Sequence, residues 1–150
     1  MIAVVQRVIE SSVQISGEKK ASIGKGLMIL LGIEEADGED DIQWLARKIS
    51  NLRIFNDAQG IMNESMLDHQ YDVLVISQFT LHASTKKGNR PSYIKAAKPE
   101  TAIPLYHNFI AELEVILGKK VHSGEFGADM KIFLINDGPV TIIIDTKDKK

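Results

Sequence analysis

The stretch Asp72-Val73-Leu74-Val75-Ile76-Ser77-Gln78-Phe79-Thr80-Leu81 predicts a buried strand that ends in polar side chains. Residues 73–81 are apolar on both alternate faces, which favours a strand covered on both sides. Polar groups at the end of a buried strand cost free energy unless they are hydrogen bonded. Two interpretations therefore remain open. The hydroxyls can satisfy backbone groups of the next loop, or the segment can form a pocket floor whose backbone N–H groups hold an oxyanion.

A second stretch near the end of the chain combines the same elements: Met130-Lys131-Ile132-Phe133-Leu134-Ile135-Asn136-Asp137-Gly138-Pro139-Val140-Thr141. An Asp-Gly pair between two apolar runs is a strong turn signal, so we predict two strands, 130–135 and 140–144, around Asp137-Gly138. Pro139 cannot donate a hydrogen bond to a sheet, and a proline at a strand start marks a bulge, an edge or a cis bond. The residues alone indicate a turn at this point.

Short β patterns and two helical patterns make up the rest of the chain. Strands are predicted at residues 2–9, 12–15, 21–23, 27–33 and 53–55. Apolar residues spaced three, four and three apart indicate a first helix: Ile42, Leu45, Ile49 and Leu52. A second helix is predicted within residues 99–117, with a stripe formed by Leu105, Phe109, Leu113 and Ile116.

The ends of the second helix carry two signals. Gly118 is a plausible C-terminal stop. Pro104 is costly in a helix interior, so the helix either starts near Thr101 or is kinked at the proline. Together the patterns predict a single α+β domain over residues 1–150, with a curved, mostly antiparallel sheet, a barrel-like core and two main helices. Residues 145–150 are predicted to be a loose tail.

The composition excludes several classes of protein. The chain has 150 residues, of which 44% are hydrophobic, enough for one compact core and too few for two ordinary domains. It has no cysteine, which excludes disulfides, thiolate nucleophiles and Cys-based metal sites. The start has no signal-peptide pattern and no apolar run is long enough to span a membrane. We therefore expect a soluble, cytoplasmic protein without a membrane partner.

Neither a hydrolase triad nor a metal site is indicated. His82 follows Thr80 by two residues and would point the same way in a strand, but no Gly-x-Ser-x-Gly elbow occurs. A triad built on this pair is a minor alternative. No His-x-x-x-His spacing or carboxylate cluster predicts metal ligands, and we expect no cofactor.

The segment Lys86 to Lys98 is locally basic in a chain of net charge −2. It contains no acidic residue and five cations: Lys86, Lys87, Arg90, Lys95 and Lys98. Such a run is usually a solvated loop, but it can also contact the phosphates of an RNA at one point. A non-catalytic RNA-binding module is therefore an alternative to an enzyme.

Taken in order, these segments resemble the D-aminoacyl-tRNA deacylase family. The motifs that carry the resemblance span nearly the whole chain: Met1-Ile2-Ala3-Val4-Val5-Gln6-Arg7-Val8, Gly32, Arg53-Ile54-Phe55-Asn56-Asp57, Gly60-Ile61-Met62-Asn63, Ser77-Gln78-Phe79-Thr80-Leu81, Arg90-Pro91-Ser92-Tyr93, Gly124-Glu125-Phe126-Gly127-Ala128-Asp129-Met130 and Asn136-Asp137-Gly138-Pro139-Val140-Thr141. One motif alone is a weak signal, but several in the same order are specific. Phenylalanine is commoner in the family at the position of Tyr93, so the aromatic ring is kept.

The resemblance implies a homodimeric hydrolase. The family cleaves the ester between a D-amino acid and the 3′-terminal adenosine of tRNA, and it also removes glycine from mischarged tRNA. The aminoacyl-tRNA 3′ end and a second copy of the chain would be its partners. The catalytic segment would be Ser77, Gln78, Phe79 and Thr80, with backbone oxyanion donors and help from the adenosine 2′-hydroxyl. Thr80 as a nucleophile is a weaker alternative.

The same resemblance assigns chiral selection to Gly138 and Pro139. Their peptide bond would be cis, and the motif would enter the active site of the partner subunit and reject L-aminoacyl groups. Asn136, Thr141 and Arg7 would support it; Arg7 would brace the partner's loop or simply lie on the strand surface. The substrate and tRNA would contact Lys86, Lys87, Arg90, Pro91, Ser92, Phe126, Ala128 and Met130.

Overall fold

The computed structural model describes residues 1–150, which form eight strands and two α helices. In chain order these are β1 (Ile2–Ile15), β2 (Glu18–Ile23), β3 (Gly26–Gly32), α1 (Glu39–Asn51), β4 (Phe55–Asn56), β5 (Met62–Glu64), β6 (Asp72–Ser77), α2 (Pro99–Leu117), β7 (His122–Ser123) and β8 (Met130–Asp145). Residues predicted as two strands, 2–9 and 12–15, are one continuous strand, β1.

The main sheet is mixed and forms a nearly closed barrel around β1. Strands β2, β3 and β8 all pair with β1 in antiparallel orientation, whereas the β3–β6 and β6–β7 pairs are parallel. The predicted α+β fold with a barrel-like core and two helices is confirmed. Because β3 and β6 run parallel, their carboxyl ends lie at the same edge of the sheet, next to the polar segment that follows β6.

The helices cover one face of this sheet with apolar side chains. From α1 the fully buried residues include Ile42, Leu45 and Ile49, as their spacing predicts. In α2 the buried stripe is centred on Tyr106, Phe109 and Leu113, while the predicted members Leu105 and Ile116 are only half-buried. The Tyr106 hydroxyl donates to the Val75 carbonyl at 2.8 Å, so this polar aromatic residue is compatible with the core.

Proline and glycine mark both ends of α2. The helix begins at Pro99, the first residue of the range 99–117 in which it was predicted, and Pro104 lies beyond its first turn. A proline in the first position costs nothing, because that N–H has no intrahelical partner. The interior Pro104 leaves the Glu100 carbonyl without its usual donor. At the other end Gly118 adopts φ 65°, which confirms the predicted stop.

The predicted hairpin around Asp137-Gly138 is wrong. Residues 130–145 form one strand, β8, and both halves pair with β1. Val8 pairs with Asn136 and Gln6 with Thr141, so β8 takes three more residues than β1 over this interval. The extra residues form a bulge, which accommodates a proline without a ladder hydrogen bond. Asp-Gly therefore marks an outward loop within one strand and not a reversal of direction.

The segment predicted as a loose tail, 145–150, is anchored at its start. Asp145 belongs to β8, and the buried Thr146 bonds Met1 through both its backbone N–H and its Oγ1. Lys147 donates to the Asp41 carboxylate at 2.8 Å. These contacts fix the chain end against the start of α1.

Candidate active site

A cavity of about 280 Å³ lies at the carboxyl end of β6. Most of its lining is apolar. Its 13 residues come from the ends of β3 and β6, the turn after β6, the start of α2, the segment before β8 and β8 itself. Six of the residues predicted for the site line it together: Ser77, Gln78, Phe79, Phe126, Ala128 and Met130. A concave apolar pocket with a few convergent polar groups is the form that small-ligand sites usually take.

A tight 3-10 turn at Phe79–His82 gives the cavity its polar edge. Strand β6 ends at Ser77, four residues earlier than predicted. The Gln78 N–H still donates to the Leu31 carbonyl of β3, and the chain then enters the turn. The turn packs directly on Gly32 at the end of β3. A Cβ on that glycine would lie 2.9 Å from the Leu81 Cβ and 3.0 Å from the Gln78 carbonyl oxygen. Gly32 therefore sets how closely the turn approaches the sheet.

The turn leaves two backbone N–H groups without acceptors. The first N–H groups of a helix have no intrahelical partner. No loop carbonyl or side chain accepts from the N–H of Phe79 or Thr80, and Gln78 makes no side-chain cap. Unpaired N–H donors beside an apolar cavity are suited to an oxygen on which negative charge develops.

No side chain of the turn is placed to act as a base on Thr80. Gln78 Nε2 donates to Thr80 Oγ1 at 2.6 Å, and Thr80 does not line the cavity. His82 is buried, and its Nε2 has no hydrogen-bond partner. No hydrogen bond joins His82 to Thr80, so the geometry gives no support to the triad alternative.

The Gly138–Pro139 peptide bond is cis, and it lies at the tip of the bulge in β8. Gly138 has φ 122°, a backbone conformation that residues with a side chain rarely adopt. Arg7, which is buried, holds the base of this loop. Its Nε donates to the Asp137 carbonyl at 3.1 Å, and its Nη1 donates to the Ile54 carbonyl at 2.6 Å.

The contacts of Arg7 correct one expectation. Arg7 is buried and binds Asp137 of its own chain, so the alternative that it lies on the strand surface is wrong. Contact with the loop of a partner subunit stays a prediction. The register of β1 and β8 brings Arg7 opposite the bulge. Thr141 is held similarly, since its Oγ1 donates to Gln6 Oε1 at 2.9 Å. Asn136 is exposed and pairs with Val8 through the backbone.

Gly138 and Pro139 do not line the cavity of their own chain. The cavity reaches β8 at Met130 and Ile132, and Ile132 pairs with Val13. Asn136, at the start of the bulge, pairs with Val8, five residues along β1, which is about 16 Å of strand. The two predicted halves of the site are therefore well separated within one chain.

The predicted tRNA-contacting cations lie on an exposed loop that leads to Tyr93. Lys86, Lys87 and Arg90 are exposed, and none makes an ion pair or a side-chain hydrogen bond. Ser84 and Ser92 close the loop with two backbone hydrogen bonds, and Pro91 lies inside it. Tyr93 follows directly and meets Phe79 edge-to-face, with ring centroids 5.1 Å apart.

The structure adds residues that the sequence patterns did not identify. Gln6 and Asp137 hold the bulge, Gly32 seats the turn, and Tyr106 supports β6 from behind. Burial raises the pKa of the Tyr106 hydroxyl to about 12, so it remains a donor to Val75 at physiological pH. Gln6, Gly32 and Asp137 lie in the motifs that carry the family resemblance, but no role was assigned to them there, and no pattern pointed to Tyr106.

Two features are absent from residues 1–150. No group of three or more His, Asp or Glu side chains is arranged to hold a metal ion. Neither helix combines the length and the apolar character needed to cross a membrane.

Known proteins resemble the chain over its full length. The family model described as D-Tyr-tRNA(Tyr) deacylase matches residues 4–145. Proteins named D-aminoacyl-tRNA deacylase from Bacteroides thetaiotaomicron and Bacteroides fragilis are 63% and 64% identical over 150 residues, all of both chains in each case. The corresponding protein of Flavobacterium johnsoniae is 57% identical over the same length.

Two solved structures share the fold. One, titled c-Myc DNA Unwinding Element Binding Protein, has a TM-score of 0.91 and 40% identity, and the match covers 97% of this chain and 99% of that one. The other, a probable eukaryotic D-amino acid tRNA deacylase, has a TM-score of 0.83 over 95% and 97% of the two chains, and at 15% identity it shows the fold alone. Because the family model covers residues 4–145 and full-length relatives exceed 60% identity, the chain belongs to the D-Tyr-tRNA(Tyr) deacylase family.

Proposed function

We propose that the cavity at the end of β6 hydrolyses the ester that joins a D-amino acid to the 3′-terminal adenosine of tRNA. At the coarser level the chain is a D-aminoacyl-tRNA deacylase, and so a hydrolase, by family membership. The observation that carries the finer proposal is the unpaired N–H group of Phe79, which lines the apolar cavity, together with that of its neighbour Thr80. The expected compartment is the cytoplasm, because translation consumes aminoacyl-tRNA there.

The chemistry follows from these donors. Water adds to the ester carbonyl, and the negative charge that develops on the carbonyl oxygen is met by the two N–H groups. The 3′-oxygen then leaves with a proton, and the products are free tRNA and the amino acid. No side chain of the turn is positioned as a base, so we assign assistance with the proton to the neighbouring 2′-hydroxyl of the adenosine. Positioning of the ester then supplies most of the rate.

Selection of D substrates is proposed to depend on backbone geometry. An enzyme that accepts many D-amino acids cannot recognise their side chains, and must recognise the α-ammonium, the α-carbon and the ester. Carbonyl groups near Gly138 and Pro139 would hold the ammonium, so that an L side chain collides with the backbone and a D side chain points outward. Glycine, which is achiral, would be hydrolysed as well.

The loop that selects would come from a second copy of the chain. About 16 Å of strand separates the cavity from the bulge in β8, so one chain cannot bring its own Gly138 and Pro139 to its own cavity. In a symmetric dimer the two-fold axis would pass between these two features. Between the cavity and the bulge, β8 has a free edge, and its side chains Phe133 and Ile135 are about half-exposed. Burial of such side chains would favour association.

The test is hydrolysis of matched esters on one tRNA. Purified protein is mixed with the tRNA carrying a D-amino acid, the L enantiomer or glycine, and free amino acid is measured over time. We expect rapid release of the D-amino acid and glycine and release of the L-amino acid at the background rate. A non-catalytic RNA-binding module would instead protect all three esters. Equal release of both enantiomers would contradict the chiral selection while leaving the esterase assignment intact.

A further inference from the structure

We propose that Tyr93 and Phe79 form a stacking platform for the base of the nucleotide that precedes the terminal adenosine. This inference rests on the proposed function, since it assumes that an aminoacylated adenosine occupies the cavity. It adds a binding site outside that cavity. The occupant is a single-stranded nucleotide of the tRNA 3′ end.

The rings of Phe79 and Tyr93 lie side by side, with Phe79 at the cavity and Tyr93 outside it. Phe79 lines the cavity, yet 54% of its surface is exposed, so it lies at the mouth. Tyr93 is not part of the lining, is 40% exposed and packs edge-to-face against Phe79 with an interplanar angle of 75°. Large aromatic surfaces are usually buried in a protein core, and here two adjacent rings remain open to solvent. A base leaving the cavity meets these rings next.

The position of Tyr93 is fixed by backbone hydrogen bonds and not by its hydroxyl. Ser84 and Ser92 exchange two backbone bonds of 2.8 and 2.9 Å directly before it, and its carbonyl accepts from the Ala96 N–H at 3.0 Å. Its hydroxyl makes no hydrogen bond in the protein. The ring is therefore presented at a fixed place, as a stacking surface requires, and the hydroxyl is dispensable.

The charges around the platform favour a nucleic acid as its occupant. Lys86, Lys87 and Arg90 lie on the loop closed by Ser84 and Ser92, and none has an anionic partner in the protein. Single-stranded nucleic acid is typically bound by aromatic rings that stack on bases beside cations that meet phosphates. A second copy of the chain docking on this surface by two-fold symmetry would bring the same cations together, which is unfavourable.

The experiment compares two substrates and two variants. The substrates are the D-aminoacyl ester of a full tRNA and the D-aminoacyl ester of adenosine alone, which has no preceding nucleotide. Tyr93→Leu removes the ring, and Tyr93→Phe is the matched control that removes only the hydroxyl. For each protein the measured quantity is the ratio of kcat/KM for the tRNA ester to kcat/KM for the adenosine ester. We expect Tyr93→Leu to lower this ratio by about 5- to 100-fold, the usual cost of losing one stacked base, and Tyr93→Phe to keep it.

An abasic tRNA identifies the occupant. When the nucleotide before the adenosine lacks its base, wild type and Tyr93→Leu should show the same ratio, because there is nothing left to stack. A Tyr93→Leu ratio equal to that of wild type on intact tRNA would overturn the platform, as would an altered sedimentation coefficient, which would make this surface a chain–chain contact. If wild type hydrolyses neither ester, the proposed function itself has failed. If only the platform is wrong, wild type still hydrolyses both esters, and the ratio of their kcat/KM values is the same for wild type and Tyr93→Leu.

Discussion

The guanidinium of Arg7 donates from Nε to the carbonyl oxygen of Asp137 at 3.1 Å, across a sequence separation of 130 residues. The same Nε lies 3.4 Å from the Asp137 carboxylate, and Nη1 donates to Ile54. One buried cation thus ties β1, β8 and the segment before β4 together at the base of the Gly138–Pro139 loop. The loop is thereby fixed from inside the chain that carries it.

Arg7→Met should destabilise the protein and reduce its selectivity. The variant leaves the Asp137 and Ile54 carbonyls without their charged donor, which costs about 2–4 kcal/mol in the free energy of unfolding. Urea denaturation measures this loss of stability. The ratio of the hydrolysis rates for D- and L-aminoacyl-tRNA shows whether the loop still selects the D substrate. Arg47→Met is the matched control, because Arg47 is exposed on α1. Equal stability of the two variants would mean that the Arg7 contacts contribute nothing.

Gly32→Ala should lower activity by displacing the proposed catalytic turn, Phe79–His82. The added Cβ meets Leu81 and the Gln78 carbonyl at 2.9 and 3.0 Å, so the turn must move outward. We expect a loss of about 1–3 kcal/mol in stability. A shift of the backbone N–H groups of Phe79 and Thr80 by a fraction of an ångström should also lower kcat roughly 10- to 100-fold. Gly24→Ala is the control, since nothing lies within 4 Å of its added Cβ. Full activity of Gly32→Ala would show that the turn tolerates the displacement.

Thr80→Ala should retain most of the deacylase activity. The substitution removes the acceptor for Gln78 Nε2, a bond of 2.6 Å, but leaves the backbone N–H in place. The expected loss in single-turnover rate is less than about tenfold. Removal of a true nucleophile costs several orders of magnitude. A bulky change at the cavity, Ser77→Phe, should abolish turnover because Ser77 lines it. A Thr80→Ala rate equal to the uncatalysed rate would identify Thr80 as the nucleophile.

Two inactive variants should complement each other if the site is shared between subunits. Ser77→Phe blocks the cavity and keeps the loop. Gly138→Val keeps the cavity and disturbs the loop, since φ is 122° and a Cβ would lie 3.0 Å from Arg7 Nη2. After unfolding and refolding an equal mixture, half of the dimers pair one variant with the other and hold one intact site, which restores about a quarter of the wild-type sites. If cavity and loop act within one chain, mixing restores nothing.

Acid should weaken the attachment of the chain end. Burial disfavours the Asp41 carboxylate, but hydrogen bonds from Lys147, Thr146 and the Gly38 N–H outweigh it and lower its pKa to about 2. The folded pKa lies below the ordinary value, so the stabilisation is present above about pH 4 and is lost as pH falls towards 2. Lys147 is 39% exposed, so solvent screens the pair and Asp41→Asn should cost only about 1 kcal/mol at pH 7. The midpoint of urea unfolding is measured for wild type and Asp41→Asn at pH 7 and at pH 2.5. The difference between the two midpoints should be smaller at pH 2.5.

Local patterns in the sequence determined the element types and the polar segments of the site. The period of apolar residues predicted the strand before Ser77 and the face of α1, because each side chain's direction follows from its position in the element. The change from apolar to polar side chains after Ile76 placed the proposed catalytic segment at a strand end. The motif order, with its resemblance to a family, contributed the residues Phe126, Ala128 and Met130, which the cavity brings together with Ser77.

Tertiary structure alone decided how distant segments meet. Asp137-Gly138 has the local signature of a hairpin, and only the pairing of both halves of β8 with β1 makes it a bulge. The partner of Arg7 depends on that register, which no short-range pattern encodes. The unpaired N–H groups of Phe79 and Thr80 likewise exist because β6 stops at Ser77 and the turn packs on Gly32. Sequence periodicity fixes the direction of side chains within one element, whereas register and close approach depend on the packing of all elements at once.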